Sequence, residues 1–286
     1  MEAFEHGYVE TNGINLHVVQ HGPEDGEIVL LLHGFPEFWY GWHHQITYLA
    51  NRGYRVWAPD QRGYNLSDKP KKTHDYEMNQ LVKDVVGLIK ATKQEKVYLV
   101  GHDWGGIVAW RVARAYPELL KKLVILNAPH SGALRHHIKK HPTQLLKSSY
   151  ILFFQLPSIP EKLLKSANGR NAAEALQKTS NEGAFSEEDL TEYKKAWARP
   201  RAMQSMLNWY RANAKNMASS KVSKQVTVPT QIIWGENDQF LGKEMATESL
   251  KFCDNGRGIL LSDATHWLHH EQPDRVSIMI SDFLTD

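Results

Sequence analysis

The chain has 286 residues, 42% of them hydrophobic, which suits one α/β domain carrying an insertion and allows a sizeable core. Its 34 Lys and Arg nearly balance 32 Asp and Glu, and the formal charge of +2 argues against a strong electrostatic footprint for nucleic acid. The single cysteine, Cys253, excludes an internal disulfide and a cysteine-based metal site, and it fits a reducing compartment.

Residues 1–13 contain acidic side chains and no apolar stretch, so no signal peptide is expected. The next segment reads as a hairpin: Tyr8-Val9-Glu10 and Ile14 to Val19 are strand-like, and Thr11-Asn12-Gly13 supplies the turn chemistry. Ile28 to Leu32 is a short continuous apolar run, as expected for a strand buried on both faces. It is also the longest strongly apolar run, far short of the roughly 20 residues that span a bilayer. A helix is expected over Trp42 to Asn51, closed by Gly53, and a strand over Tyr54 to Ala58. Leu81, Val82, Val85, Val86, Leu88 and Ile89 have helical spacing within residues 79–92. Val97 to Val100 is again strand-like and runs through Gly101-His102-Asp103-Trp104-Gly105-Gly106 into a helical stretch ending near Tyr116, with a further strand over Leu123 to Leu126. Such alternation predicts a mostly parallel sheet with helices on both faces.

The alternation stops over residues 130–224, which read as several helices joined by polar loops such as Asn168-Gly169-Arg170-Asn171. This segment is expected to be an inserted helical cap, leaving residues 1–129 and 225–286 as the core domain. Strand-like runs return at Thr230 to Trp234 and Gly258 to Leu261, and Pro273 to Leu284 reads as a closing helix. The final Phe283-Leu284-Thr285-Asp286 matches no lipidation or retention signal, so a soluble, cytoplasmic protein without a membrane span is expected.

Gly101-His102-Asp103-Trp104-Gly105 has the G-x-nucleophile-x-G form of a nucleophile elbow between a strand and a helix. Aspartate at its centre sets the reaction class. A serine that attacked an sp³ carbon would leave an ether the site could not hydrolyse, whereas a carboxylate leaves an ester that water can cleave. The plainer alternative is that Asp103 only caps the following helix. Asp238 and His266 follow two later strands in the order acid then base, which places both at the same sheet edge as Asp103. His266 would activate water and Asp238 would orient it, with Glu236 as a competing acid. His269 and His270 are weighed as metal ligands beside His266, against a place near the start of the last helix, and His33 and His102 as structural residues. His33-Gly34-Phe35-Pro36 occupies the loop that supplies half of an oxyanion hole, so the backbone N–H groups of Phe35 and Trp104 are the expected donors. A basic run over residues 135–141 is more simply a solvated face than a nucleic-acid or membrane contact.

With His33-Gly34-Phe35-Pro36, Asp60-Gln61-Arg62-Gly63-Tyr64, Gly101 to Gly106 and His266-Trp267 together, the whole chain resembles soluble epoxide hydrolases of the α/β-hydrolase fold. The resemblance implies a mostly parallel eight-stranded sheet flanked by helices, with an inserted helical cap. It identifies Tyr150 and Tyr210 as the cap tyrosines whose phenols would hydrogen-bond an epoxide oxygen, against cap packing as the alternative. The expected partners are a small apolar or aromatic epoxide and water, with no metal and no organic cofactor. Phe153 and Trp267 are expected to line the substrate cavity together with Phe35 and Trp104. Related dehalogenases commonly place Asn where Phe35 stands, or Arg where Trp104 stands, and this chain has neither. A non-catalytic receptor built on the same cavity is the alternative from a different class.

Overall fold

The computed structural model describes residues 4–141, 144–147, 149–217 and 225–286. The N-terminal hairpin forms where its turn chemistry puts it. Strands β1 (Glu5–Thr11) and β2 (Ile14–His21) pair antiparallel, with Thr11 opposite Ile14. Asn12 and Gly13 between them take φ of 48° and 75°, the positive values that match the twist of the flanking strands.

Strand β3 (Ile28–Leu32) is buried along its whole length. Val29 and Leu31 enter one core cluster and Leu30 and Leu32 the other, because successive side chains point to opposite faces of the sheet. Helix α1 (His43–Ala50), β4 (Arg55–Pro59), α2 (Met78–Ala91), β5 (Val97–His102), α3 (Asp103–Ala115) and β6 (Leu120–Leu126) follow. β6 begins three residues before the apolar pattern does, and Lys122 in that stretch sends its ammonium to the carbonyls of Phe283 and Leu284.

The chain then runs through α4 (Ser131–Lys140), α5 (Gln144–Lys147), α6 (Ser149–Phe154), α7 (Ile159–Thr179), α8 (Glu187–Ala198) and α9 (Ala202–Met217). The loop expected at residues 168–171 lies inside α7. Asn168 and Gly169 take φ of 57° and 79°, so these residues, which tolerate the left-handed region, interrupt a helix that continues beyond them. The sheet resumes with β7 (Thr230–Gly235), α10 (Glu244–Leu250), β8 (Gly256–Leu261), α11 (Leu268–Glu271) and α12 (Pro273–Thr285).

The eight strands lie in the order β1-β2-β4-β3-β5-β6-β7-β8. β1, β2 and β4 pair antiparallel and every later pairing is parallel, the mostly parallel eight-stranded sheet expected. Ile46 and Leu49 of α1 and Ile280 and Leu284 of α12 cover one face. α2 and α3 cover the other through residues such as Leu81, Val85, Val108 and Val112. That second core continues into Leu176, Leu190, Trp197 and Trp209 of the helices between β6 and β7. Among the described residues no helix is long and apolar enough to cross a membrane.

Candidate active site

β5 ends at His102 and α3 begins at Asp103, whose own φ is 49°. The strained residue of the turn is therefore the aspartate itself, and the neighbouring glycine serves close packing: a Cβ on Gly105 would stand 2.2 Å from the Leu32 carbonyl oxygen. The Asp103 carboxylate faces the β3 loop. The Phe35 N–H donates to its Oδ1 at 2.8 Å, and Trp104 lies in the first turn of α3, whose N–H groups have no partner within the helix.

The other two residues of the expected triad meet Asp103 at this edge. His266 Nε2 is 3.6 Å from Asp103 Oδ2, and His266 Nδ1 donates to Asp238 Oδ2 at 2.7 Å. Asp238 is fixed by Asn127 Nδ2 at 2.6 Å and by the N–H groups of Phe240 and Leu241 at 2.7 and 3.0 Å. Glu236, the competing acid, turns away to Lys243. Burial works to lower the His266 pKa, but the carboxylates of Asp238 and Asp103 outweigh it and push the pKa up to about 10. Burial likewise works to raise the Asp103 pKa, and the imidazole of His266 beside it leads the effects that hold it below the usual carboxylate range.

Above this edge is a cavity of about 220 Å3 whose lining includes Asp103, His266, Tyr150 and Tyr210. Tyr150 comes from α6 and Tyr210 from α9, with ring centroids 6.1 Å apart. Burial raises both phenols above their ordinary pKa, helped by the carboxylates of Asp103 and Asp238 at Tyr150 and by Tyr150 and Asp103 at Tyr210. Both are therefore hydrogen-bond donors at neutral pH. Phe35 and Trp267 line the cavity. Phe153 does not: Phe154, one position on and a full turn from Tyr150, lines it, while Phe153 is half-buried on the flank of α6. Trp104 backs the site instead of lining it, its ring edge-on to Tyr210 at 5.1 Å.

The remaining histidines serve other contacts. His33 Nε2 accepts the Gln61 N–H at 3.0 Å, and Asp60 takes His17 Nδ1 at 2.7 Å and Asn65 Nδ2 at 2.9 Å, so the 60–64 motif is a buried brace beside the site. His102 reaches Glu37 with Nδ1 and the His266 carbonyl with Nε2, each at 2.9 Å. His269 and His270 lie in α11, just before α12, and converge on Glu37, not on His266. Glu37, His269 and His270 are the one group among the described residues with metal-ligand proximity, their atoms lying within 4.8 Å of one another. The Glu37 carboxylate already accepts His270 Nε2 at 2.7 Å, Tyr193 Oη at 2.9 Å and His102 Nδ1, which describes a buried hydrogen-bond network. Sequence reasoning missed Glu37 and Asn127. The signal for Asn127 was a polar residue directly after a buried strand at the carboxyl edge of the sheet; Glu37 directly follows the Phe35-Pro36 loop.

A family model for the alpha/beta hydrolase fold matches residues 27–273. The AB hydrolase superfamily protein YfhM of Bacillus subtilis is 46% identical over 99% of both chains. Human epoxide hydrolase 4 is 38% identical, with 97% of this chain and 78% of that one covered. A crystal structure of an epoxide hydrolase mutant from Bacillus megaterium, complexed with its product (R)-3-[1]naphthyloxy-propane-1,2-diol, matches with a TM-score of 0.89 at 30% identity, over 98% of this chain and 100% of that one.

Proposed function

This chain belongs to the alpha/beta hydrolase fold family, among its epoxide hydrolases, and from that membership and the site geometry we propose that it converts apolar or aromatic epoxides to vicinal diols through an ester on Asp103. The observation that carries the reading is the convergence of Asp103, His266 and two phenols on one largely apolar cavity.

The Phe35 N–H holds Asp103 Oδ1, so Oδ2 is the free nucleophile. Oδ2 attacks an epoxide carbon, the carbon–oxygen bond breaks, and Tyr150 and Tyr210 hydrogen-bond and protonate the departing alkoxide. Ester formation removes one of the two negative charges that keep His266 protonated. Its pKa falls, and the proton it gives up replaces the one lost from the phenols. Neutral His266, oriented by Asp238, then takes a proton from water as that water attacks the ester carbonyl. Oδ1 is now the carbonyl oxygen, already seated against the Phe35 N–H, and the charge that develops there is held by the Phe35 and Trp104 amides. Collapse of the tetrahedral intermediate breaks the bond between the acyl carbon and the diol oxygen, and that oxygen takes the second water proton. The diol leaves with Asp103 ionised and His266 protonated, as at the start. No metal and no organic cofactor enters these steps.

In this reading residues 130–224 are the cap that carries the phenols, and residues 1–129 and 225–286 are the core that carries the triad; the boundary at 224 lies outside the described residues. A cytoplasmic setting, read from the lone Cys253, belongs to the same proposal. The bound diol of the Bacillus megaterium relative, an aryloxy-propanediol, is the kind of product such a cavity accommodates.

The test is the intact mass of His266→Gln after brief exposure to styrene oxide and, separately, to a bromoalkane. An increase equal to the whole epoxide, mapped to Asp103, is expected. An increase of the alkyl group alone, seen only with the bromoalkane, would make the protein a dehalogenase. No adduct from an epoxide that the unsubstituted enzyme turns over would remove the covalent mechanism.

A further inference from the structure

Trp104 has a second side. Its ring meets Tyr210 toward the catalytic cavity, and it also lines a separate cavity of about 50 Å3. Trp110, Ile107 and Leu134 supply further apolar wall there, and Arg111 and Arg114 of α3 reach into the same space. The two arginines are three residues apart on one helix, so their side chains are neighbours.

Nothing described neutralises them. Among the described residues neither Arg111 nor Arg114 forms an ion pair or a side-chain hydrogen bond, and Arg114 Nη1 is fully buried without a partner. The residues outside the description between positions 142 and 224 include no Asp or Glu that could pair with them. His130, another lining residue, is pushed down to about 3 by burial and then by Arg114, Arg111 and Arg135, so it stands neutral beside them. Ser131, the first residue of α4, adds a hydroxyl and the positive end of a ten-residue helix. Both arginines are half-buried; a guanidinium keeps its charge under these conditions, and leaving Arg114 Nη1 buried and unpaired is costly.

We propose that this cavity binds a small organic carboxylate, with its oxygens between Arg111 and Arg114 and its apolar stem against Trp104, Trp110 and Ile107. The planar carboxylate matches the guanidinium fork. The apolar wall favours a carboxylate on a hydrocarbon stem over a free inorganic anion, whose remaining oxygens would be left against aromatic rings. The proposal is independent of the reaction at Asp103.

The test is titration of the full chain with acetate and with propionate, small enough for this cavity, read by the indole N–H NMR signals of Trp104 and Trp110. Trp267, which lines the catalytic cavity, serves as the internal control. The expected result is a saturable shift of Trp104 and Trp110 in the millimolar range or tighter. Arg111→Gln and Arg114→Gln should each weaken binding by roughly tenfold or more, and Arg114→Lys by less than Arg114→Gln. A shift confined to Trp267, or no shift at all in the unsubstituted chain, would overturn the site. So would undiminished binding in the double glutamine variant. Inorganic phosphate binding more tightly than acetate at the same two tryptophans would overturn the carboxylate assignment. Because the first reading is made on the unsubstituted chain, a variant that fails to fold does not remove the test.

Discussion

Gly34 shows how little room Asp103 has. A Cβ there would lie 2.5 Å from the Asp103 Cβ and 2.7 Å from its Oδ1, with the Phe35 N–H contact one residue further on. Gly34→Ala must therefore displace the carboxylate or the loop. The expected outcome is a loss of kcat of roughly a hundredfold, since small misplacements at a reacting centre cost about that much, with a melting temperature lowered by only a few degrees; steady-state kinetics beside a thermal melt would separate the two. The phenols admit a cleaner substitution. Tyr150→Phe and Tyr210→Phe keep the ring contacts of the cavity wall and remove one donor each, so each should slow ester formation by roughly tenfold to a hundredfold, and the pair by roughly a thousandfold. Single-turnover kinetics on an epoxide, which isolate ring opening from ester hydrolysis, read this directly. Unchanged ring opening in the double variant would make both tyrosines packing residues.

At the scale of elements, the site depends on how α6 and α9 are held together, because each contributes one phenol. Arg211, directly after Tyr210 on α9, does much of this. Its guanidinium makes a two-pronged bond to Glu161 at 2.6 and 3.1 Å and reaches the carbonyls of Phe154 and Leu156 at 2.9 and 2.7 Å. Arg211 thus ties the end of α6 and the start of α7 to α9. Arg211→Met retains the apolar stem and removes every one of these bonds. It should lower the melting temperature by several degrees, as partly buried charge-assisted bonds of about 1.5–3 kcal/mol would predict, and should slow ring opening more than ester hydrolysis, because in the proposed mechanism the phenols act only in the first step. This tie was invisible in the sequence, where Arg211 is one cation among 34 Lys and Arg. The strands and the elbow were legible because period and punctuation carry them: apolar runs of strand length, Asn12-Gly13, and the glycines around Asp103. The helices between β6 and β7 were legible only as a break in the alternation. Asn168-Gly169 reads as a loop, since nothing local says that the helix resumes. The choice between Phe153 and Phe154 is a matter of helix rotation, which tertiary packing sets.

For the molecule as a whole, the sheet gathers charge at one end. β5, β7 and β8 are parallel, so the residues that follow them reach the same edge, and two carboxylates and an imidazole meet there with little water. Such an arrangement links folding to pH. The folded-state pKa of His266 is about 10 against an ordinary value of 6.5, because Asp238 and Asp103 outweigh the effect of burial. A group whose pKa rises on folding binds its proton more tightly in the folded chain. Its contribution is fully present below about pH 6.5 and is lost as pH climbs through about 10. Asp103 has the opposite sign: its pKa is lowered, so its share is present above its ordinary 3.8 and is lost as pH falls below that value. Between these limits the triad supports the fold, and the alkaline side is the accessible one. The melting temperature of the enzyme should therefore decline from about pH 6.5 to 10 by an amount equivalent to a few kcal/mol. Subtracting the curve of His266→Gln should isolate that decline, because glutamine fills similar space and does not titrate. In Asp103→Asn the decline should be shallower and should finish at lower pH, since one of the two carboxylates that raise the imidazole pKa is gone. The same change of charge would occur in the proposed ester on Asp103, so this stability curve would measure, without substrate, the pKa fall that would free His266 to act as a base. Identical melting profiles for the enzyme and His266→Gln across this range would mean that the imidazole is neutral in the free enzyme and that ester formation has no proton to release from it.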